Sequence, residues 1–182
     1  MLELAAHILD IAENSVRAGA SLVEITIIED EEKNIFSIEI NDNGCGMTPE
    51  EIKKVFDPFY TTKKVRRVGL GVPLLSDAAQ RAGGDLRLTS IKGEGTNLKV
   101  TFELNHIDRQ PLGDIIGTLV ILIAGNSFVD FLYKHRHNDH QFSLDTRIIR
   151  KEIDDLPINH PEILKYIRDV IDDGLSEIQS IA

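Results

Sequence analysis

At 182 residues, with 42% hydrophobic and 27% charged positions, the chain can form one medium domain, or one domain with a small appendage, around a sizeable core. Its formal net charge of −10 argues against nucleic acid or an anionic membrane surface as the main partner. The lone Cys45 excludes an internal disulfide, the start Met1-Leu2-Glu3-Leu4 carries no basic leader region, and the longest apolar run, Ile115 to Ala124, is too short to span a bilayer. The expected location is the cytoplasm.

Residues 2 to 18 read as a helix closed by Gly19. Its polar residues Glu3, His7, Asp10, Asn14 and Arg17 recur at spacings of four, three, four and three, which places them on one narrow stripe. The stripe either faces solvent or lines a polar cavity in an otherwise packed helix. On the second reading Asp10 and Asn14, at i and i+4, share one space. A carboxylate there could activate a hydroxyl or water, and an oxygen could meet a hard cation such as Mg²⁺.

Leu22 to Glu29 alternates as a strand with Val23, Ile25 and Ile27 on one face, and the acidic turn Asp30 to Asn34 reads as plain solvation. The strand Ile35 to Ile40 runs into Asn41-Asp42-Asn43-Gly44-Cys45-Gly46-Met47. Glycine lets the backbone approach a ligand there, so Asp42 could accept from an exocyclic amine such as that of adenine; an ordinary turn is the alternative. Thr48-Pro49-Glu50-Glu51 is a capping box that opens a short helix. Four basic residues between Lys63 and Arg67 suggest an anion site or a solvated loop. Gly69-Leu70-Gly71-Val72 then opens a helix to Ala82, whose bare backbone N–H groups make a phosphate cradle without being a Walker loop or a dinucleotide fingerprint.

Two more strands, Asp85 to Ile91 and Asn97 to Leu104, are joined through Gly95-Thr96, which alone reads as turn chemistry. An apolar helix from Gly113 to Ala124 follows, then a hairpin of Ser127–His137 and His140–Leu144 around Asn138-Asp139. Asp145 caps a helix to about Asp154, and Asn159-His160-Pro161-Glu162 starts the last, to Ile178. The hairpin either adds a strand to the preceding sheet or forms a docking module. Its His135, His137 and His140 could bind a transition metal, but an exposed hairpin tip is the favoured reading.

In this order Asp-x-x-x-Asn (10–14), Asp-x-Gly-x-Gly (42–46), Phe-x-Pro-Phe (56–59), Gly-Leu-Gly (69–71) and Gly-x-Gly-Thr (93–96) resemble the GHKL ATPase superfamily over roughly residues 2 to 104. Phe-Asp-Pro-Phe-Tyr-Thr-Thr-Lys followed by Gly-Leu-Gly looks most like a histidine-kinase catalytic domain. The whole chain is similar to stand-alone bacterial ATP-binding proteins that lack a dimerisation and phospho-acceptor helix. The resemblance implies a Bergerat-type α/β two-layer sandwich with a mixed, mostly antiparallel sheet, spanning residues 1–105, and a small α+β extension over 106–182.

It also implies ATP and Mg²⁺ as cofactors. Asp42 would hold the adenine amine with Thr96 in support, and Gly44, Gly46, Met47 and Ala18 would line the base pocket. Asn14 would ligate Mg²⁺, and Gly69, Leu70, Gly71 and Val72 would wrap the phosphates beside Lys63. The base position, often Glu in the family's ATPases, is Asp10, with Glu13 as the alternative. The expected activity is phosphoryl transfer from Mg·ATP to a partner protein in trans. The alternatives are a nucleotide-dependent regulatory binding module and a slow ATPase. A homodimer is allowed for; no nucleic-acid or membrane partner is expected.

Overall fold

Alternation from Leu22 onward forces a strand with one dry face, since successive side chains point to opposite sides of a sheet. The computed structural model, which describes residues 3–56, 71–153 and 155–180, builds six strands and six helices among those residues. In chain order they are α1 (Leu4–Arg17), β1 (Leu22–Asp30), β2 (Ile35–Asp42), α2 (Pro49–Val55), α3 (Gly71–Arg81), β3 (Leu86–Ile91), β4 (Gly95–Glu103), α4 (Ile115–Gly125), β5 (Asp130–His137), β6 (His140–Asp145), α5 (Thr146–Glu152) and α6 (Pro161–Glu177).

The strands form one sheet in the order β3-β4-β2-β1-β5-β6, antiparallel at every junction except the parallel β1–β5 pair. Register aligns the buried face in rows. Ser90, Thr96, Asp42, Val23 and Phe131 form the first row; Leu88, Leu98, Ile40, Ile25, Tyr133 and Leu144 form the second. Leu86, Val100, Ile38, Ile27, His135 and Phe142 make the third, and Phe102, Phe36, Glu29, His137 and His140 the fourth. Glu24, Thr26, Glu39, Lys99 and Arg87 point the other way. This is the dry-in, polar-out pattern of a sheet covered on one face.

The covering layer is α3, α1, α4 and α6, each packed on the next. Its apolar stripes supply Leu4, Ile8, Ile11, Leu75, Leu119, Leu122, Ile167 and Ile171, all buried in the common core with the strands. The result is an α/β two-layer sandwich. The strands of residues 106–182 continue the sheet begun by the first 105 residues: β5 lies along β1 from Leu22↔Asp130 to Glu29↔His137. The connection before α4 also closes the start of α1, with the amides of Leu4 and Ala5 donating to the carbonyls of Pro111 and Leu112 at 3.0 and 2.8 Å. Of the two readings of the hairpin, the added strand is the one observed.

Local chemistry sets the element ends. α1 stops in a Schellman turn, Gly19 N donating to Val16 O and Ala20 N to Ser15 O. α2 begins with the capping box expected from sequence, Thr48 Oγ1 accepting from the Glu51 amide and Glu51 from the Thr48 amide. Asp114 caps α4 by accepting from Gly117 N at 2.7 Å, and Asp145 caps α5. At α6 the capping side chain is His160, whose ring nitrogen accepts from the Glu162 amide.

Two expectations are overturned. His135 and His137 are not an exposed tip, being 0% and 7% exposed on the buried face of β5. The acidic turn is not plain solvation: Glu31 accepts from the His137 ring at 2.6 Å, and Lys33 pairs with Asp30 at 2.7 Å. The physical reason is that β5 docks against β1, which carries both imidazoles to the end of the sheet where that turn lies.

Candidate functional site

Asp42 and Thr96 of the first row line a cavity of about 650 Å³ between α1, α3 and the sheet. That volume is in the range of a small-molecule site. Its apolar walls are Ile11, Ile40, Leu88 and Leu98; its polar groups include Asp10, Asn14, Asp42 and Thr96.

Asp42 ends β2, and both its oxygens are oriented. Oδ2 accepts from the Ser15 hydroxyl at 2.6 Å and Oδ1 from the Gly44 amide at 2.9 Å. Each oxygen keeps a further lone pair, since an ionised carboxylate offers about four acceptor sites. Opposite Asp42 in register is Thr96. Its proton is assigned by its neighbours. Ser90 Oγ donates to Gly95 O at 2.7 Å and accepts from Met47 N at 2.8 Å, so the 2.9 Å contact to Thr96 makes Thr96 the donor. Thr96 Oγ1 keeps its lone pairs for another donor. Thus Asp42 and Thr96 present acceptors side by side at the head of the sheet.

The loop after Asp42 has the shape that its glycines permit. Gly46 adopts φ +58° with its α-carbon so close to the Ile91 carbonyl that a Cβ would lie 1.9 Å from the oxygen. Gly44 packs on Ala18, and Cys45 N donates to Ala18 O at 2.9 Å, which ties the loop to the end of α1. Asn43 secures the other side by accepting from the Ser21 and Leu22 amides. Ala18, Gly46, Met47 and Cys45 line the cavity, with Gly44 just behind it.

At the other end, one and two turns up α1, stand Asn14 and Asp10. Asn14 Oδ1 accepts from Arg17 Nη1 at 2.9 Å, and Arg17 also bonds Glu13. Glu13 is therefore tied to Arg17, and it is not among the lining residues. Asp10 faces the first residue of α3: a Cβ on Gly71 would lie 2.1 Å from Asp10 Oδ2. Gly71 and Val72 line the cavity, so the N-terminus of α3 opens onto it. Lys63, Gly69 and Leu70 lie outside the described residues, as does most of the Phe-x-Pro-Phe stretch.

Residues of the predicted stripe divide. Asp10, Asn14 and Arg17 reach the cavity, whereas His7 is 1% exposed and lines a separate pocket of about 280 Å³ with Asp77, Arg81, Asp108 and Gln110. Burial holds its imidazole below its ordinary pKa of 6.5, with Gln110, the Gly71 backbone and Asp10 opposing. Sequence reasoning missed Ser15, which orients Asp42. The available signal was a lone hydroxyl on the apolar side of α1. It also missed Lys92 and Glu51, which meet at 3.5 Å at the cavity rim.

The donor set of Asn14 amide and Asp10 carboxylate is all oxygen, which suits a hard cation that also takes phosphate oxygens and water. Among the described residues no cluster of three His, Cys, Asp or Glu side chains could hold a metal by itself.

The family described as Histidine kinase-, DNA gyrase B-, and HSP90-like ATPase matches residues 2–106. Sensor histidine kinase WalK of Bacillus subtilis (strain 168) is 34% identical over 93 residues, 48% of this chain and 15% of WalK. Signal transduction histidine-protein kinase AtoS of Escherichia coli (strain K12) is 39% identical over 69 residues, 38% of this chain and 11% of AtoS. The chain thus spans only about a seventh of the length of WalK. Among solved structures, the N-terminal domain of a DNA repair protein superposes with a TM-score of 0.55 at 16% identity, over 80% of this chain and 53% of that one. The Aquifex aeolicus MutL ATPase domain complexed with ADP gives 0.50 at 18% identity, over 74% and 60%. The fold is an α/β two-layer sandwich with a cavity between its helices and its sheet. The chain belongs to the Histidine kinase-, DNA gyrase B-, and HSP90-like ATPase family, with a histidine-kinase-like ATP-binding domain over the matched residues. No helix among the described residues is long and apolar enough to cross a membrane.

Proposed function

We propose that the cavity takes Mg·ATP with the adenine at Asp42 and the phosphates at the Asp10–Gly71 end, and that the protein passes the γ-phosphoryl group to a separate partner protein. The observation that carries this reading is the pair of polar ends on one apolar slot. Asp42 and Thr96 offer acceptors to an amine at one end; Asn14, Asp10 and the start of α3 offer oxygens and backbone N–H groups at the other. Gly44, Gly46, Met47 and Ala18 would flank the base, Gly71 and Val72 the phosphates, with Lys63, Gly69 and Leu70 assigned to the same role from the sequence.

Mg²⁺ would be held by Asn14, and when bound it supplies neutralisation of phosphate charge. Arg17 bonds the Asn14 oxygen through one of its two lone pairs, which leaves the second for the cation. Asp10 is assigned to chemistry more than to binding: its carboxylate can take a proton, which the Asn14 amide cannot. The cytoplasm is the location this reading requires.

One observation favours low hydrolysis. Asp10 is set against Gly71 and Glu13 is tied to Arg17, so neither carboxylate has the reach of a longer, unencumbered Glu. This supports transfer to a partner, or a nucleotide-driven binding module as the second reading, over an efficient ATPase. The test is incubation with γ-labelled ATP and Mg²⁺, with and without candidate acceptors captured on the ATP-bound protein. Label on an acceptor, absent with Asp10→Ala, is expected. ATP-dependent capture without label transfer would select the binding module. Acid-labile, base-stable label on the lone chain would contradict an acceptor in trans.

A further inference from the structure

Far from the cavity, at the opposite end of the sheet, six titratable or hydroxyl side chains come together near the end of α6: Glu29, Glu31, Tyr133, His135, His137 and Ser180. Tyr133, His135 and Glu29 are each 0% exposed. As a carboxylate Glu29 accepts from His135 Nε2–H at 2.6 Å, and the Tyr133 hydroxyl, which can give or take a proton, lies 2.6 Å from His135 Nδ1. Ser180, just past α6, closes the row by donating to Glu29 at 2.7 Å. His135 is satisfied with one ring proton.

His137 is not. Its Nδ1 lies 2.9 Å from the carbonyl oxygen of Ile178 and its Nε2 lies 2.6 Å from Glu31 Oε1. A carbonyl has no proton to give. Glu31 is a carboxylate, held below its ordinary pKa by the His137 and Asn138 hydrogen bonds. The carbonyl and the carboxylate each call for a ring proton; the one donor nearby, Asn138 Nδ2, stands farther from Nε2 at 3.3 Å and also donates to Glu31 at 3.1 Å, so the shorter contacts assign both protons to the ring. We propose that His137 is an imidazolium latch: doubly protonated, it bridges Glu31 to the Ile178 carbonyl and holds down the last turn of α6, and loss of one proton releases that turn.

The released bond is the one to Ile178. A charge-assisted bond to a carboxylate outlasts a bond to a neutral carbonyl, so the remaining proton stays on Nε2 and the Nδ1 lone pair is left facing an oxygen. Ile178 O is one of the helix-end carbonyls without an intrahelical donor, and a cation there also matches the negative end of the helix dipole. The turn beyond it is primed to open. Gln179 holds φ +54°, a conformation disfavoured for a residue with a Cβ, in a Schellman turn where Gln179 N donates to Ser176 O and Ser180 N to Leu175 O.

The groups around the ring support the bridge. Glu29 is its register partner on β1, Glu31 stands in the following turn, and His140 is opposite on β6. Burial lowers the His137 pKa, but the Ile178 carbonyl, Glu31 and Glu29 outweigh it and leave the value above 6.5. Opening the turn would remove Ser180 from Glu29 and admit water to the His135–Tyr133 row.

Hydrogen exchange of the Ile178, Gln179 and Ser180 amides, expressed as protection factors between pH 5.5 and 9, tests this on the whole chain. The His137 ring nitrogens are followed by NMR in the same samples. Protection should fall at least tenfold with the midpoint of the His137 titration. In Glu31→Gln, which removes the anion and keeps the ring, both midpoints should move down together. His137→Gln should give low, pH-independent protection. A ring singly protonated at pH 5.5, or protection indifferent to its titration, or an exchange midpoint unmoved in Glu31→Gln, would each overturn the latch.

Discussion

Ser15 shows how one hydroxyl turns a strand-end carboxylate into an aimed acceptor. It also lies 3.4 Å from Ile11 O, so the side chain spans from its own helix to Asp42. Ser15→Ala removes a hydrogen bond to a carboxylate, an interaction worth about 1.5–3 kcal/mol where the partner stays buried. Asp42 is only half-buried and keeps the Gly44 amide, so the expected loss of ATP affinity is toward the low end, roughly tenfold. Calorimetric titration of the folded variant measures it, and an affinity equal to wild type would remove Ser15 from the site.

At the scale of elements, β5 is the piece on which the rest leans. Along β1 it supplies neighbours to Val23, Ile25 and Ile27 in the form of Phe131, Tyr133 and His135. α4, which precedes it, covers α1, and Pro111 and Leu112 accept from the first amides of α1. Residues 1–105 alone would leave β1 as an open apolar edge and α1 half uncovered. We expect that fragment to give no cooperative thermal transition by circular dichroism and poorly dispersed amide resonances. A sharp melt with a dispersed spectrum would show that the first 105 residues fold by themselves.

The parts legible in the sequence were those whose chemistry is local. Only glycine fits 1.9 Å from where the Ile91 oxygen would meet a Cβ, so Gly46 had to be written as glycine. The capping box of α2 and the Asn138 turn, with φ +51°, likewise announce themselves within four residues. The β1–β5 pairing does not, because a parallel pair is joined by a long crossover and leaves no turn signature. For the same reason the burial of His135 and His137 was hidden: their carboxylate partners are 106 residues away in the chain. Ser15 was missed because one hydroxyl barely alters an apolar helix face.

For the whole molecule, two buried histidines set opposite limits on stability. His7 has a folded pKa below 6.5, so the unfolded chain binds the extra proton first; its contribution is complete above pH 6.5 and is lost as pH falls below it. His137 has a folded pKa above 6.5; its contribution is complete below pH 6.5 and is lost as pH rises through the folded value. Urea unfolding across pH 5 to 9 should therefore show decline on both sides. His7→Leu should flatten the acid side from pH 6.5 downward, and His137→Gln the alkaline side. Variants that leave both slopes as in wild type would mean that other groups govern them.

The central claim is that Asp42 recognises an adenine nucleotide, and calorimetric titration of ATP into wild type and folded Asp42→Asn tests it most directly. The substitution puts an amide donor where one acceptor oxygen would face the adenine amine. Losing a charged hydrogen bond costs about 1.5–3 kcal/mol, so affinity should drop roughly 10- to 100-fold while a guanine nucleotide, weak in both, gains or stays level. Equal ATP affinity in the two proteins would contradict the account.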